Sequence, residues 1–205
     1  PPSGGLWLGG RVDSEQTPEQ NNDTPPTGND HFRFGIEPNK ALGSTYFDIH
    51  GRWMHMHHDS VDSPENTTYP ANKLLHKSSA PLTGQGWQCV ELMVKTNSEL
   101  SSKEGAQLQF WLNNELIHDF HEDDPPGFWV GSDFCSEEAD LPPCTTPSEI
   151  SEEEYVPLNL QIRKSALLNL NYLWPRLDGD PEKERRMLID NIVLAHKRIG
   201  CAVYD

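Results

Sequence analysis

The sequence is poor in cations. Sixteen Lys and Arg stand against thirty-two Asp and Glu, which gives a net charge of −16 at pH 7. Because nucleic-acid binding depends on neutralising phosphates with Lys and Arg, this balance argues against a nucleic-acid partner. The same charge repels acidic polysaccharides, so binding one would require a local basic patch. The acidity is otherwise typical of a solvated, salt-tolerant surface.

Long apolar runs and helical periodicity are also absent. No stretch approaches the roughly 20 apolar residues that cross a bilayer, so we expect no membrane span. Short alternating segments recur instead, separated by Gly- and Pro-rich stretches. The 205 residues are enough for one domain with a substantial core. We therefore predict an all-β fold in a single domain, 1–205, with long loops.

Cysteine is scarce, with four residues and no CxxC pair, which disfavours a structural zinc site. Cys135 and Cys144 share one polar, Pro-rich loop, where a short bridge is geometrically easy. Cys89 and Cys201 form a second bridge that pins the chain end to a central strand, or both remain buried thiols. Disulfides form in oxidising compartments, so we expect a secreted, periplasmic or other extracellular location.

Alternation is strongest in two segments, 87–97 and 107–115. Apolar residues fall on one side of each predicted strand and polar residues on the other, as in a sheet that packs one face on a core. Two such sheets make a sandwich. The predicted core positions are Val90, Leu92, Val94, Leu108, Phe110 and Leu112, and the predicted outer positions are Glu91, Lys95, Gln107, Gln109 and Trp111.

The outer positions favour a polar polymer as ligand. A Trp among amides and charges can stack on the apolar face of a sugar ring while its neighbours bond the hydroxyls. Trp111 either serves this purpose or covers an edge of the sheet. The predicted sugar-binding residues are Trp111, Glu91, Gln107, Tyr172 and Arg163.

Two regions differ from the alternating segments. Residues 1–30 are rich in Gly, Pro, Asn and Asp, and we predict a loop that wraps on the domain and is held by Trp7. Residues 121–155 are predicted as a long acidic insertion that carries both loop cysteines. Other strands are predicted at His31–Glu37, Ser44–His50, Arg52–His57, Val156–Lys164, Ala166–Trp174 and Met187–Lys197.

The segment Arg52–Asp59 holds three His and two Met in eight residues. In a strand, His55 and His57 share one face about 7 Å apart. They can act as a general base, ligate a transition metal, for which the methionines favour copper, or simply form a surface strand. Asp190, in an otherwise apolar strand, either bonds backbone at a bulge or contributes to a calcium site. No cofactor is predicted apart from this calcium ion.

These residue types suit β-elimination from a uronic acid. A cation or amide neutralises the carboxylate, a base removes the C5 proton, and an acid protonates the leaving oxygen. Hydrolysis would require two facing carboxylates, and Glu91 has no predicted partner on its surface. We assign the base to His55 or His57, the acid to Tyr46, and carboxylate neutralisation to Arg33, Lys95 or Gln109.

Several motifs resemble those of one family. Gly4–Gly10 resembles a Gly-rich "PGLxGG" loop, Trp87–Asn97 resembles a "W-x-C-V-E-x-x-x-K-x-N" strand, and Phe110–Glu115 stands where "WxDGK" is usual. Asn169–Trp174 and Ile189–Gly200 complete the pattern. The chain is thus similar to bacterial and algal-virus polysaccharide-lyase-like proteins with a concanavalin-A-like jelly roll, such as alginate and glucuronan lyases.

This resemblance implies a two-sheet jelly-roll β-sandwich whose concave face binds an extracellular, anionic polysaccharide. It also implies a strand before the Gly-rich loop, so we expect a preceding segment or a separate chain to complete the sheet. The family's Asp-Gly turn is Asn113-Asn114 here, and the insertion between Cys135 and Cys144 is unusual. We expect a polysaccharide lyase. The alternatives are a non-catalytic glycan-binding module and a His/Met copper protein.

Overall fold

The computed structural model describes residues 4–11, 24–28, 30–60, 67–84, 86–98, 104–121, 124–144, 155–162, 169–177 and 187–201. Secondary structure in these ranges is entirely β, so the all-β prediction is confirmed. None of them holds a helix that could span a membrane. The strands are β1 (Gly4–Arg11), β2 (His31–Ala41), β3 (Ser44–Arg52), β4 (Asp59–Ser60), β5 (Thr67–Thr68), β6 (Asn72–Lys73), β7 (Val90–Lys95), β8 (Gln107–Leu112), β9 (Glu115–His121), β10 (Pro126–Val130), β11 (Asp133–Ser136), β12 (Val156–Pro157) and β13 (Asn169–Leu177).

Two sheets dominate the fold. The large sheet has eight strands in the order β12-β10-β11-β6-β3-β2-β1-β13, and the small sheet has three in the order β7-β8-β9. Strands β4 and β5 form a separate two-stranded ribbon. Neighbours in the two main sheets pair antiparallel except β6 and β11, which are parallel.

One apolar core lies between the two sheets. Phe34 and Ile49 enter it from the large sheet, and Leu108 and Phe110 enter it from the small sheet, all fully buried. Phe47 meets Phe110 edge-on, with ring centres 6.3 Å apart. The sheets therefore pack face to face as a β-sandwich.

The register of the small sheet confirms the predicted faces. Leu92 pairs with Phe110 and faces the core, whereas Glu91 pairs with Trp111 on the other side. All six predicted core positions belong to the core or pack against it, namely Val90, Leu92, Val94, Leu108, Phe110 and Leu112.

The prediction of a loop over residues 1–30 is wrong for Gly4–Arg11, which forms β1 inside the large sheet between β2 and β13. Trp7 explains why this Gly-rich segment is a strand. Its indole, 1% exposed, lies across Gly35 of β2, where a Cβ would come within 2.3 Å of the ring. Glycine in the neighbouring strand thus provides the space that the indole fills.

The region 121–155 is also more regular than predicted. Strands β10 and β11 form a hairpin that joins the large sheet through β6 and β12. Cys135 lies in β11 and is bonded to Cys144, and both pack against Phe128 in a small second apolar cluster. The hairpin therefore extends the sheet instead of looping away from it.

The predicted strand Arg52–His57 is wrong beyond Arg52, where β3 ends. Trp53 and Met56 are both buried in the core. A strand cannot place residues three apart on one face, whereas a turn can. The amide of Met56 accordingly donates to the carbonyl of Trp53 at 3.1 Å.

The last strands also differ from the prediction. Only Val156–Pro157 of the segment Val156–Lys164 forms a strand, and Asn159 has a positive φ of 54° that interrupts the alternation. Residues 163–168 lie outside the described residues, and β13 extends to Leu177. The segment Met187–Lys197 is not a strand, and its apolar side chains are exposed, with Leu188 at 75%.

Gly35→Ala should destabilise the protein by about 1–3 kcal/mol, because the new methyl group collides with the Trp7 indole. Gly84→Ala is the matched control, since a Cβ there meets nothing within 4 Å. Urea unfolding of both variants measures the difference. Equal stability of the two variants would show that Trp7 does not need the space above Gly35.

Candidate functional site

The outer face of the small sheet gathers polar side chains from all three strands. We define this outer face by Lys95 of β7, Gln107 and Gln109 of β8, and Asp119 and His121 of β9. Gln107 pairs with Lys95 on one side and with His121 on the other, and Gln109 pairs with Asp119. Opposed residues in antiparallel strands point to the same side, so the five side chains share one surface.

Asp119 is the centre of this surface. Its carboxylate accepts hydrogen bonds from Gln107 Nε2 at 2.9 and 3.1 Å and from Gln109 Nε2 at 2.6 Å. His121 Nε2 lies 3.3 Å from Asp119 Oδ1. A carboxylate that faces an imidazole nitrogen favours the tautomer with its proton on that nitrogen, so Nδ1 of His121 presents the lone pair.

A cavity of about 310 Å³ opens beside these residues. Its lining consists of Lys95, Gly105, Ala106, Gln107 and His121. Lys95 is exposed, so its ammonium is accessible to a ligand on this surface. The cavity therefore combines a cation, an amide and an imidazole, with the Asp119 carboxylate behind the imidazole, and Lys95 is the group of this lining that can attract an acidic ligand.

Trp111 occupies the far end of the same face, but its ring is covered. Its exposure is 7%, and the Arg198 guanidinium lies 5.0 Å from the ring centre. Arg198 Nε also pairs with Glu91 Oε2 at 3.2 Å. The predicted sugar platform thus points outward, but an arginine of the same chain occupies the position of a sugar.

The β8–β9 turn holds the chain end beside Trp111. Asn113 and Asn114 have positive φ angles of 52° and 72°, which suits a tight hairpin turn. Asn113 Oδ1 accepts the amide of Cys89 at 3.0 Å, and Asn114 Oδ1 accepts the amide of Cys201 at 2.7 Å. These two cysteines form the second disulfide, so both predicted bridges are present in the structure.

Tyr46 and Arg33 lie on the outer side of the large sheet, across the core from Lys95. Tyr46 is 2% exposed, and its hydroxyl lies 3.4 Å from His76 Nδ1. Burial and the nearby Asp48 carboxylate raise its pKa, which makes the phenol a weaker acid. The Arg33 guanidinium lies 5.3 Å from the Trp7 ring. The structure therefore divides the predicted catalytic set between two surfaces.

His55 and His57 occupy a loop after β3 and have separate partners. His55 Nε2 lies 3.1 Å from Gln161 Oε1. The His57 ring stacks on Trp129, with ring centres 4.8 Å apart, and its Nδ1 donates to the Gly131 carbonyl at 2.8 Å. The two imidazoles do not share a strand face as predicted.

The remaining predicted residues add little to this surface. Tyr172 lies in β13 opposite Gly9, and Arg163 lies outside the described residues. Asp190 is exposed and accepts the amide of Asn191 at 2.8 Å, a backbone bond as in one alternative, although no strand forms there. Within the described ranges, no group of three or more His, Cys, Asp or Glu is arranged to hold a metal ion.

The sequence did not indicate the buried cluster around His76. His76 Nδ1 lies 3.7 Å from Asp48 and Nε2 lies 3.2 Å from Asp133, which also pairs with Lys73 at 3.0 Å. Burial lowers the pKa of His76, but Asp133 and Asp48 outweigh it and raise the pKa overall. Burial likewise raises the pKa of Asp133, and His76 and Lys73 reverse this effect. The cluster ties the loop after β6 to the large sheet.

Comparison of the chain with protein-family models, curated proteins and solved structures found no match. The functional assignment therefore depends on the residues and geometry described above.

His76→Gln should lower the free energy of unfolding by about 3 kcal/mol at mildly acidic pH, since it removes the imidazolium that contacts both Asp48 and Asp133, and Lys73 pairs with Asp133 but leaves Asp48 without that cation. The pKa of His76 is higher in the folded state than in the unfolded state, where it is about 6.5. Its charge therefore stabilises the fold fully below the unfolded pKa, and this stabilisation is lost as pH rises through the folded pKa. The difference in free energy of unfolding between wild type and variant should therefore decrease as pH rises.

Urea unfolding between about pH 5 and 9 tests this expectation, with the exposed His58→Gln as control. A gap for His76→Gln that stays constant or widens as pH rises would contradict the assignment of a stabilising imidazolium.

Proposed function

We propose that this protein binds an extracellular, anionic polysaccharide on the outer face of the small sheet and cleaves it by β-elimination. The observation that carries the proposal is the cavity that Lys95 and His121 line together, with Asp119 facing the imidazole. Arg33 and Tyr46 have no part in this assignment, because both are buried on the other sheet.

Lys95 neutralises the uronate carboxylate, next to Gln107, whose amide holds Asp119 in place. Neutralisation stabilises the negative charge that develops when the C5 proton leaves, and this lowers the barrier to its removal. Lys95 is exposed, so water screens its charge until a bound polymer displaces that water.

His121 is the base in this proposal. Its Nδ1 takes the C5 proton, and Asp119, opposite Nε2, stabilises the imidazolium that results. The C4–O bond then breaks, a C4=C5 double bond forms, and the imidazolium returns its proton to the leaving oxygen. One residue thus replaces His55 or His57 as base and Tyr46 as acid.

The proposal includes a concanavalin-A-like jelly roll and secretion. Two face-to-face sheets support the first, and two disulfides are compatible with the second. The polysaccharide-lyase-like motifs of the sequence support both. Two of those motifs contribute residues to the outer side of the small sheet, because Lys95 belongs to Trp87–Asn97 and Trp111 belongs to Phe110–Glu115.

His121→Ala should lower turnover on a uronic-acid polymer by about 10²-fold or more, since a positioned base typically contributes about 10²–10⁴-fold. Lys95→Ala should lower turnover by about 10²–10³-fold, the typical effect of removing one group that stabilises developing negative charge. The ultraviolet absorbance of the unsaturated product measures turnover. His55→Ala is the control, because that imidazole bonds Gln161 away from the cavity, and it should retain wild-type turnover.

Two outcomes would contradict this account. Loss of turnover in His55→Ala, with turnover retained in His121→Ala, would show that the base is His55 in the loop after β3. Absence of product from every uronic-acid polymer, together with oligosaccharide binding that Gln107→Ala weakens, would identify a non-catalytic glycan-binding module.

A further inference from the structure

The outer face of the small sheet is open at one end and closed at the other. Lys95 and Glu91 stand at its two ends, four residues apart in β7, and a strand rises about 3.3 Å per residue, so the face is about 13 Å long. The cavity lies at the Lys95 end. Residues 198–201, which we call the strap, lie at the Glu91 end.

The strap covers the groups that would otherwise extend the face. Arg198 lies over the Trp111 ring and pairs with Glu91. The amide of Ile199 donates to Glu91 Oε1 at 3.0 Å. An aromatic ring and a carboxylate that could contact a sugar are thus bound by the chain itself.

The strap is anchored at its last residue, Cys201. Cys201 is bonded to Cys89, and its amide donates to Asn114 Oδ1 at 2.7 Å. Arg198 Nη2 also donates to the Asn114 carbonyl at 3.2 Å. The preceding residues 188–197 are exposed, so the turn and the disulfide hold the strap in place.

We infer that the strap makes the site specific for the end of a polysaccharide chain, with Arg198 as the specificity-determining residue. The inference rests on the proposed function. A polymer that runs along the face from the cavity meets Arg198 before it reaches Trp111, so a chain interior cannot lie across the whole face. A chain end can enter up to the strap. The products should therefore be short from the start of the reaction.

Arg198→Ala tests this inference by uncovering Trp111. The variant should release longer products early in the reaction. Combined with Glu91→Gln, so that no unpaired carboxylate faces the anionic ligand, it should also bind long uronic-acid oligosaccharides about threefold to tenfold more tightly than wild type, because stacking on a free aromatic ring adds affinity. Lys197→Ala is the matched control, since it removes the same charge from an exposed neighbour, and it should match wild type.

Adding Trp111→Leu to the Arg198→Ala/Glu91→Gln variant removes the aromatic ring, and so separates the uncovering of Trp111 from a general loosening of the chain end. This triple variant should retain little of the gain in affinity if the indole is the added platform. Mapping of the Cys89–Cys201 bridge checks that each variant keeps the strap anchored.

The outcomes distinguish the inference from the proposed function. Long products from the wild-type protein at early times, or unchanged products in Arg198→Ala together with unchanged affinity in Arg198→Ala/Glu91→Gln, would overturn the inference while leaving the lyase assignment intact. Absence of both cleavage and binding on every uronic-acid polymer would overturn the proposed function and the inference together.

Discussion

A single apolar layer between two sheets constrains every other feature of this protein. Phe34 and Ile49 from one sheet and Leu108 and Phe110 from the other fill that layer without a gap to solvent. Because strand side chains alternate, each apolar residue turned inward leaves a neighbour turned outward. Polar chemistry is therefore confined to the two outer surfaces, and residues on opposite surfaces cannot act on one ligand.

The two outer surfaces have different roles. The outer side of the large sheet is covered, and its charged groups neutralise one another, as His76 does for Asp48 and Asp133. Asp48 is completely buried and also accepts the amide of Leu75 at 2.9 Å. Buried ionic groups require such pairing, so we interpret this side as structural. The small sheet instead keeps Lys95 exposed beside a cavity, which suits binding of an anionic ligand.

Local alternation made part of the fold predictable. The outward positions of β7 and β8 follow from their sequences alone, and the Cys135–Cys144 bridge follows from the short spacing of its cysteines, whereas the sequence is consistent with either a bridge or two buried thiols at Cys89 and Cys201. In β9 the alternation holds only over Asp119, Phe120 and His121, because Ile117, two residues before Asp119, is also buried in the core. A β-bulge between Phe110 and Trp111 shifts the register set by the turn by one residue, and this shift, which local alternation does not predict, places Asp119 and His121 opposite Gln109 and Gln107.

Long-range packing made the rest unpredictable. A Gly-rich segment has the composition of a loop, and only the fit of Trp7 over Gly35 explains why it is a strand. Burial of Trp53 and Met56 in the core likewise turned the expected His strand into a loop. The cover over Trp111 comes from Arg198, a contact between residues far apart in the sequence that no local pattern encodes.

Solution NMR of the protein with a short uronic-acid oligosaccharide tests the central claim most directly, because it reports both outer surfaces in one titration. Side-chain amide resonances of Gln107 and Gln109 and the imidazole resonances of His121 should shift with the oligosaccharide concentration, while those of His76 stay unchanged. Shifts at His76 with none at His121 would contradict the claim that the ligand binds the small sheet.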